Sequence, residues 1–446
     1  MRSTLRGLLS TFWVFLLLTG CLHRVPEVDP RVASNLAVFD EVWTTVRDTG
    51  FAIEHSGVDW ENARETWRPR AAEAPDSTAL YAILREMLDT LQLSHFSVMA
   101  PERATDHTNV PVESAAPLPE AEGLSREEGG SGGTADAGLD VRWLQGQLVV
   151  VRSRPGSQVI PGDVLLKVGD FDPLAAADAL QKRTDRASEV AILLRSEALA
   201  ALTGSPGEQC TLMVEAPSGE RRTVVVNLED GLSRPTGFGH LSVNGEVETR
   251  TLEGGVGYVR WNVFMMDLLP EISRAIGTYK DAPGLILDLR GNPGGVAGMA
   301  QAVAGNVVTR PISLGSMQNP EYTIEFPVQP RSKVFSGPLV VLVDMASAST
   351  SEILAAGLQE SERATLVGET TAGLVLPSMV IELEDGGLFQ YALALYLSPT
   401  GEVVEGVGVK PDVQIAPTRV AWASGRDVVL ETALAVIRDG TARRAD

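Results

Sequence analysis

Ser349 is the residue of this chain best placed to do chemistry. It lies between a continuous apolar run, Leu339 to Val343, and a helix-forming stretch from Thr350 to Glu360. The run reads as a strand buried on both faces, so Ser349 stands where a buried strand opens into a helix. A hydroxyl there feels the positive end of the helix dipole. Free backbone N–H groups at that end can face a developing oxyanion, which suits acyl transfer. The pairing of Ser349 with Glu352 also fits a capping box, so local sequence alone leaves nucleophile and helix cap both open. A serine hydroxyl further needs a base to take its proton.

Other chemistries find little support. No His or Cys cluster has metal-ligand spacing, so neither metal nor cofactor is expected. Gly294 and Gly295 follow Asn292-Pro293 and lack the lysine that a nucleotide loop would need. The net charge of −21 argues against nucleic acid and anionic membrane surfaces as partners, since both are polyanions. Two cysteines, Cys21 and Cys210, cannot build a disulfide framework, and nothing marks Cys210 as catalytic. At 446 residues, with 44 % hydrophobic and 21 % charged, the chain reads as two or three ordinary globular domains.

The elements that must position Ser349 follow from periodicity. Residues 31–102 read as an N-terminal helical domain. Within it Leu80, Ile83, Leu84, Met87, Leu88 and Leu91 form one stripe of an amphipathic helix, with Asp76 or Ser77 as N-cap. That helix should stop near Leu93, leaving Ser94 and His95 just past its end. Residues 103–138, rich in proline and then glycine, read as a flexible linker. Short strand patterns dominate residues 139–230: Leu148 to Val151, Val164 to Val168, Cys210 to Val214 and Arg222 to Val226. From 250 to 440 strand and helix alternate. Val256 to Trp261, Gly284 to Leu289, Leu339 to Val343 and Thr365 to Val367 are expected strands, and Asp427 to Ile437 a closing helix.

Four stretches then stand in the order and spacing of one family. They are Gly257-Tyr258-Val259-Arg260, Leu285 to Gly295, Val340 to Ile353, and Val367-Gly368-Glu369-Thr370 with Gly406 to Asp412. Together the set resembles the catalytic domain of the C-terminal processing and tricorn-core serine peptidases. The resemblance implies an α/β chain with a crotonase-like spiral of ββα units. It implies Ser349 as nucleophile, and the N–H of Thr350 with that of Gly294 or Gly295 as oxyanion hole. The substrate would be a peptide or an unfolded protein segment. Pro161-Gly162-Asp163-Val164-Leu165-Leu166-Lys167-Val168 is similar to the turn and strand of PDZ domains, which bind an extended peptide at a sheet edge.

The chain departs from the commoner branch of that family. Its lysine base, in a Phe-Gly-Lys-Gly context, is Leu374 here, and no lysine lies between Ser349 and Lys410. The tricorn branch uses a histidine within Leu-Gly-x-Ser-His, and Leu91-Gln92-Leu93-Ser94-His95 resembles it. By that resemblance His95 is the general base and Ser94 links it to a glutamate. The glutamate precedes Gly-Val-x-Pro-Asp, which points to Glu405, with Glu402 as competitor. A position near a helix C-terminus also favours the imidazolium that forms during proton transfer. A histidine capping a helix is the plain alternative.

The N-terminus carries Arg2 and Arg6, an apolar run from Leu8 to Leu18, and Leu18-Thr19-Gly20-Cys21. The run is short for a membrane span, and the tetrapeptide resembles a bacterial lipobox. A lipoprotein signal peptide over 1–20, lipidation of Cys21, a tether over 21–30 and a periplasmic, outer-membrane location are the expectations. A second reading is a retired enzyme, a peptide- or apolar-ligand-binding lipoprotein on the same scaffold. The oligomeric state stays open.

Overall fold

The computed structural model describes residues 29–101, 135–231, 234–238 and 241–444. The signal peptide at 1–20, the lipidation at Cys21, the tether as far as residue 28 and the linker as far as residue 134 lie outside the described residues; the last linker residues, 135–138, are instead ordered, with strand Ala135–Asp136 paired to Thr203–Gly204 and Glu229–Asp230.

A six-stranded sheet organises the C-terminal half. Its spatial order is Val247–Thr251, Gly257–Trp261, Leu285–Asp288, Leu339–Val343, Thr365–Gly368 and Val413–Gln414. The first pairing is antiparallel and the rest are parallel. Alternate side chains enter two different cores, as a strand's two-residue period requires. Val259, Leu285, Leu287, Leu339, Val341 and Val343 pack with helices Leu269–Thr278, Gly298–Ala304 and Thr350–Glu360. Tyr258, Ile286, Val340 and Leu342 pack instead against Val429, Ala433 and Ile437 of helix Val428–Arg438. Both faces are covered, which is why these strands read as unbroken apolar runs.

Residues 139–230 hold a second sheet, ordered Leu139–Leu144, Gln147–Ser153, Val164–Val168, Gln209–Glu215 and Arg221–Asn227. Strand patterns alone missed its two helices, Pro173–Gln181 and Ala187–Ala201. Both are rich in alanine and leucine, strong helix formers. Cys210 is a free, buried thiol in this module, and burial pushes its pKa up.

The N-terminal helices Pro30–Thr49, Phe51–Ser56, Trp60–Glu73 and Ser77–Asp89 close their core with residues from the other end of the chain. Phe39, Trp43, Leu84 and Leu88 share a cluster with Leu376, Leu383, Phe389 and Ala392. Strand Ser97–Met99 pairs antiparallel with Leu388–Ala392. The N-terminal helices thus share one core with strands of the C-terminal half. Asp76 caps the last N-terminal helix, accepting from Ala79 N. That helix ends at Asp89, earlier than Leu93, and the chain turns through Thr90 and Leu91 before Ser94.

Candidate active site

The loop that carries Ser349 leaves the C-terminal end of strand Leu339–Val343, beside the loop that leaves its parallel neighbour Leu285–Asp288. Ligands of open α/β sheets gather at such ends. Hydrogen bonds zip the two loops together. Asp344 Oδ1 accepts from Gly291 N and Ala346 N, at 2.9 and 3.0 Å. The Ser347 hydroxyl donates to Leu289 O at 2.8 Å. Ala348 N and the Ser351 hydroxyl both donate to Asn292 O, at 3.1 and 2.9 Å. Asp288 is the anchor below. Burial works to raise its carboxyl, but Arg290 and the Tyr258 hydroxyl prevail and hold it near about 2. Asp427, which caps the closing helix, takes the other side of Arg290.

Ser349 lies at the top of this frame with φ 57° and ψ −119°, a left-handed value for a residue with a side chain. Such strain persists only where its surroundings over-determine it, and it gathers at functional sites. The residue is 1 % exposed, and its hydroxyl is buried without a hydrogen-bond partner. Glu352 Oε2 accepts from Ser349 N at 3.0 Å and Glu352 N donates to Ser349 O at 2.7 Å, while the Ser349 hydroxyl has no hydrogen-bond partner. A cap would spend that oxygen on the helix.

Two backbone donors stand beside it. Thr350 N and Gly295 N make no hydrogen bond to the described residues, whereas Gly294 N donates to Asn292 Oδ1 at 3.0 Å. Gly294 approaches Ser349 closely. A Cβ built there would fall 2.7 Å from Ser349 Cβ and 2.9 Å from its Oγ, and its φ of +104° already requires glycine.

Ser94 and His95 come from the other end of the chain. The Ser94 hydroxyl is 2.6 Å from His95 Nδ1 and donates to Glu405 Oε2 at 3.0 Å. Glu405 Oε1 also accepts from Ser94 N, and Oε2 from Val375 N at 2.9 Å. Glu402 takes no part in this group; its N–H donates to the Ser398 hydroxyl. The strut joining the two halves is the segment 371–375. Glu352 accepts from Thr371 Oγ1, Gly373 N and Leu374 N, and Val375 N holds Glu405. Hydrogen bonds on either side of the Leu374–Val375 peptide therefore link the backbone of Ser349 to the ring of His95. Burial pushes the Glu352 carboxyl up to about 7, against the pull of Thr371 Oγ1 and the backbone N–H groups of Gly373, Ser349 and Leu374.

Leu374, at the position where the commoner branch has lysine, packs with Ala346, Ala348, Ala372 and Ile192. Ile192 belongs to helix Ala187–Ala201, so the β-rich module rests on the loop that carries Ser349. Ser188 Oγ donates to Ala372 O at 2.7 Å, and Arg186 Nη1 to Glu405 Oε1 at 2.9 Å. From the same module Arg142 reaches Asp344 Oδ2 and Arg290 O, at 3.1 and 2.9 Å. Sequence reasoning did not find Arg186 or Arg142, because their partners are fixed only by the docking of one module on another. Glu369, beside the same loops, is pushed up to about 7 by burial and by the Asp344 charge. Among the described residues no group of three or more His, Cys, Asp or Glu is placed to hold a metal ion.

Similarity to known proteins covers both the N-terminal helices and the C-terminal sheet. Residues 255–415 match Peptidase family S41, and residues 32–89 match the tricorn protease C1 domain. A carboxyl-terminal-processing protease of Synechocystis is 35 % identical over 42 % of this chain and 45 % of its own length. A carboxyl-terminal-processing protease of Picosynechococcus is 30 % identical over 62 % of each chain. The chain thus spans less than two thirds of these relatives. The solved photosystem II D1 C-terminal processing protease superposes with a TM-score of 0.56 at 23 % identity, over 91 % of this chain and 97 % of that one, which is a likeness of fold. The chain thus carries a Peptidase family S41 domain over residues 255–415, preceded by a tricorn protease C1 domain over residues 32–89.

Proposed function

We propose that the chain is a serine endopeptidase that cleaves peptides or unfolded protein segments, with Ser349 as nucleophile and His95 as general base. One observation carries this reading: the Glu405–Ser94–His95 run is built, while the Ser349 hydroxyl is held in a strained backbone conformation and has no hydrogen-bond partner, His95 included. The carboxyl-terminal-processing names of its relatives support the substrate class.

The chemistry follows from the donors. The Ser94 hydroxyl has one hydrogen, and an ionised Glu405 can only accept it. Ser94 Oγ then accepts from His95 Nδ1–H, which leaves Nε2 with a lone pair. His95 Nε2 takes the Ser349 proton as Oγ bonds the scissile carbonyl carbon. The N–H groups of Thr350 and Gly295 stabilise the resulting oxyanion. His95 gives the proton to the leaving amine as the C–N bond breaks, and water hydrolyses the acyl-enzyme by the same route. Because Ser349 is 1 % exposed, substrate enters as the residues over it give way.

The 139–230 module supports a PDZ-like reading, since strand Leu139–Leu144 lies at a sheet edge where a peptide could add. Export and lipidation at Cys21 are proposed on the lipobox alone, with radiolabelled palmitate uptake by wild type and not by Cys21→Ser as the check. The enzyme itself is tested by digesting an unfolded protein with the full chain and with Ser349→Ala. Fragments from both alike, or from neither, would contradict the reading.

A further inference from the structure

We infer that Arg186, from the β-rich module, is a positioning residue for the Ser94–His95 relay. The inference rests on the peptidase reading above.

Arg186 is the N-cap residue of helix Ala187–Ala201, and its own N–H is held by Thr184 Oγ1 at 3.1 Å. Its guanidinium reaches across to the catalytic half with two donors. Nη1 meets Glu405 Oε1 at 2.9 Å, and Nη2 meets Gln92 O at 2.9 Å. Gln92 is the start of the turn that carries Ser94 and His95, and it has a left-handed φ of 55°. One planar fork therefore grips both the acid of the relay and the turn of the base. Two parallel donors of this kind fix geometry as well as charge.

The Glu405 side chain is only 7 % exposed and is fully occupied by its donors: Arg186 Nη1 and Ser94 N on Oε1, Ser94 Oγ and Val375 N on Oε2. Arg186 is the one cation that the described residues place on it. A buried carboxylate without a cation tends to take a proton. That would matter here because the relay has a direction. With Glu405 ionised, the Ser94 hydrogen points to Glu405, His95 carries its hydrogen on Nδ1, and Nε2 can act as base. With Glu405 protonated, the chain can reverse, Ser94 donating to Nδ1 and the ring hydrogen moving to Nε2. That tautomer cannot accept the Ser349 proton. The Arg186 charge and fork hold the relay in its working direction.

The test compares wild type, Arg186→Lys, Arg186→Gln, Ser349→Ala and His95→Gln in the full chain. Arg186→Gln should lower kcat about 10- to 100-fold at neutral pH with KM little changed, a part of what a positioned base contributes. The acid limb of its pH–rate profile should move to higher pH, and Arg186→Lys should recover part of the loss. An equal loss at every pH, no rescue by lysine, or kcat at or above wild type would overturn the role. Nitrogen-15 spectra of the histidines, with His95 assigned through His95→Gln, read the same claim without turnover. The Nδ1–H tautomer should dominate in wild type and give way in Arg186→Gln; an unchanged tautomer overturns the inference. A wild type that hydrolyses nothing while its tautomer depends on Arg186 would instead count against the peptidase reading alone.

Discussion

Ser94 and Glu405 are 311 residues apart in sequence, yet the Ser94 hydroxyl donates to the Glu405 carboxylate at 3.0 Å. That contact brings the first helical segment to the end of the catalytic sheet. It fixes which way Ser94 presents its oxygen to His95 Nδ1 at 2.6 Å. The site is therefore assembled from both ends of the chain, and several consequences can be measured.

Replacement of Glu405 by Gln should leave the fold in place, since the amide keeps the size, but it puts an NH₂ group among donors. We expect about a 10- to 100-fold loss of kcat. Steady-state kinetics beside a thermal melt will separate this from unfolding.

Gly294→Ala should abolish activity while the chain still folds. Its Cβ would fall 2.7 Å from Ser349 Cβ, and the φ of +104° adds backbone strain of about 1–3 kcal/mol. The check is activity and urea midpoint together; an active Gly294→Ala would mean that the nucleophile loop has room this geometry denies it.

Phe389→Ala tests the shared core. Phe389, on strand Leu388–Ala392 of the hairpin with Ser378–Glu382, is fully buried against the N-terminal helices. Loss of its ring should cost about 3–5 kcal/mol. A fragment lacking residues 29–101 would expose the same apolar face and should aggregate; a soluble, cooperative fragment would show the catalytic half to be self-sufficient.

Two buried carboxyls predict how stability varies with pH. Glu352 and Glu369 are both pushed up to about 7 in the folded chain. Folded chains then hold more protons than unfolded ones between roughly 4.5 and 7. Stability from these groups falls as pH rises through that window and levels off above it. Asp288, held near about 2, titrates below it. The urea midpoint should be lower at pH 8 than at pH 5.5, and Glu369→Gln should flatten the slope by on the order of 1–3 kcal/mol. An unchanged slope in the variant would show that Glu369 ionises normally.

Much of this was legible in the residues. The runs Leu339–Val343 and Thr350–Glu360 appear where periodicity put them, because a strand buried on both faces and the helix after it leave local signatures. Ser94, His95, Ser349 and the glycines stand out through short motifs that survive without their context, and the structure joins Ser94, His95 and Glu405 by hydrogen bonds. The helices Pro173–Gln181 and Ala187–Ala201 were missed among strand patterns, and Arg186 with them. Its role depends on where one module docks on another, which no local window encodes. The end of helix Ser77–Asp89 was also placed too late, since Leu91 continues the apolar stripe although the backbone has already turned. Of the two glycines, only the coordinates separate Gly295, whose N–H is unspent, from Gly294, whose N–H is held by Asn292.

The most direct test of the central claim is labelling of the purified chain with a fluorophosphonate, which reacts with serines activated by a base. Wild type, Ser349→Ala and His95→Gln would be compared as folded proteins. Labelling of wild type, none of Ser349→Ala, and a fall of at least about 1000-fold in the labelling rate of His95→Gln are predicted. Labelling that persists at the wild-type rate in His95→Gln would show that another group activates Ser349, and folded wild type that takes no label would contradict an active serine altogether.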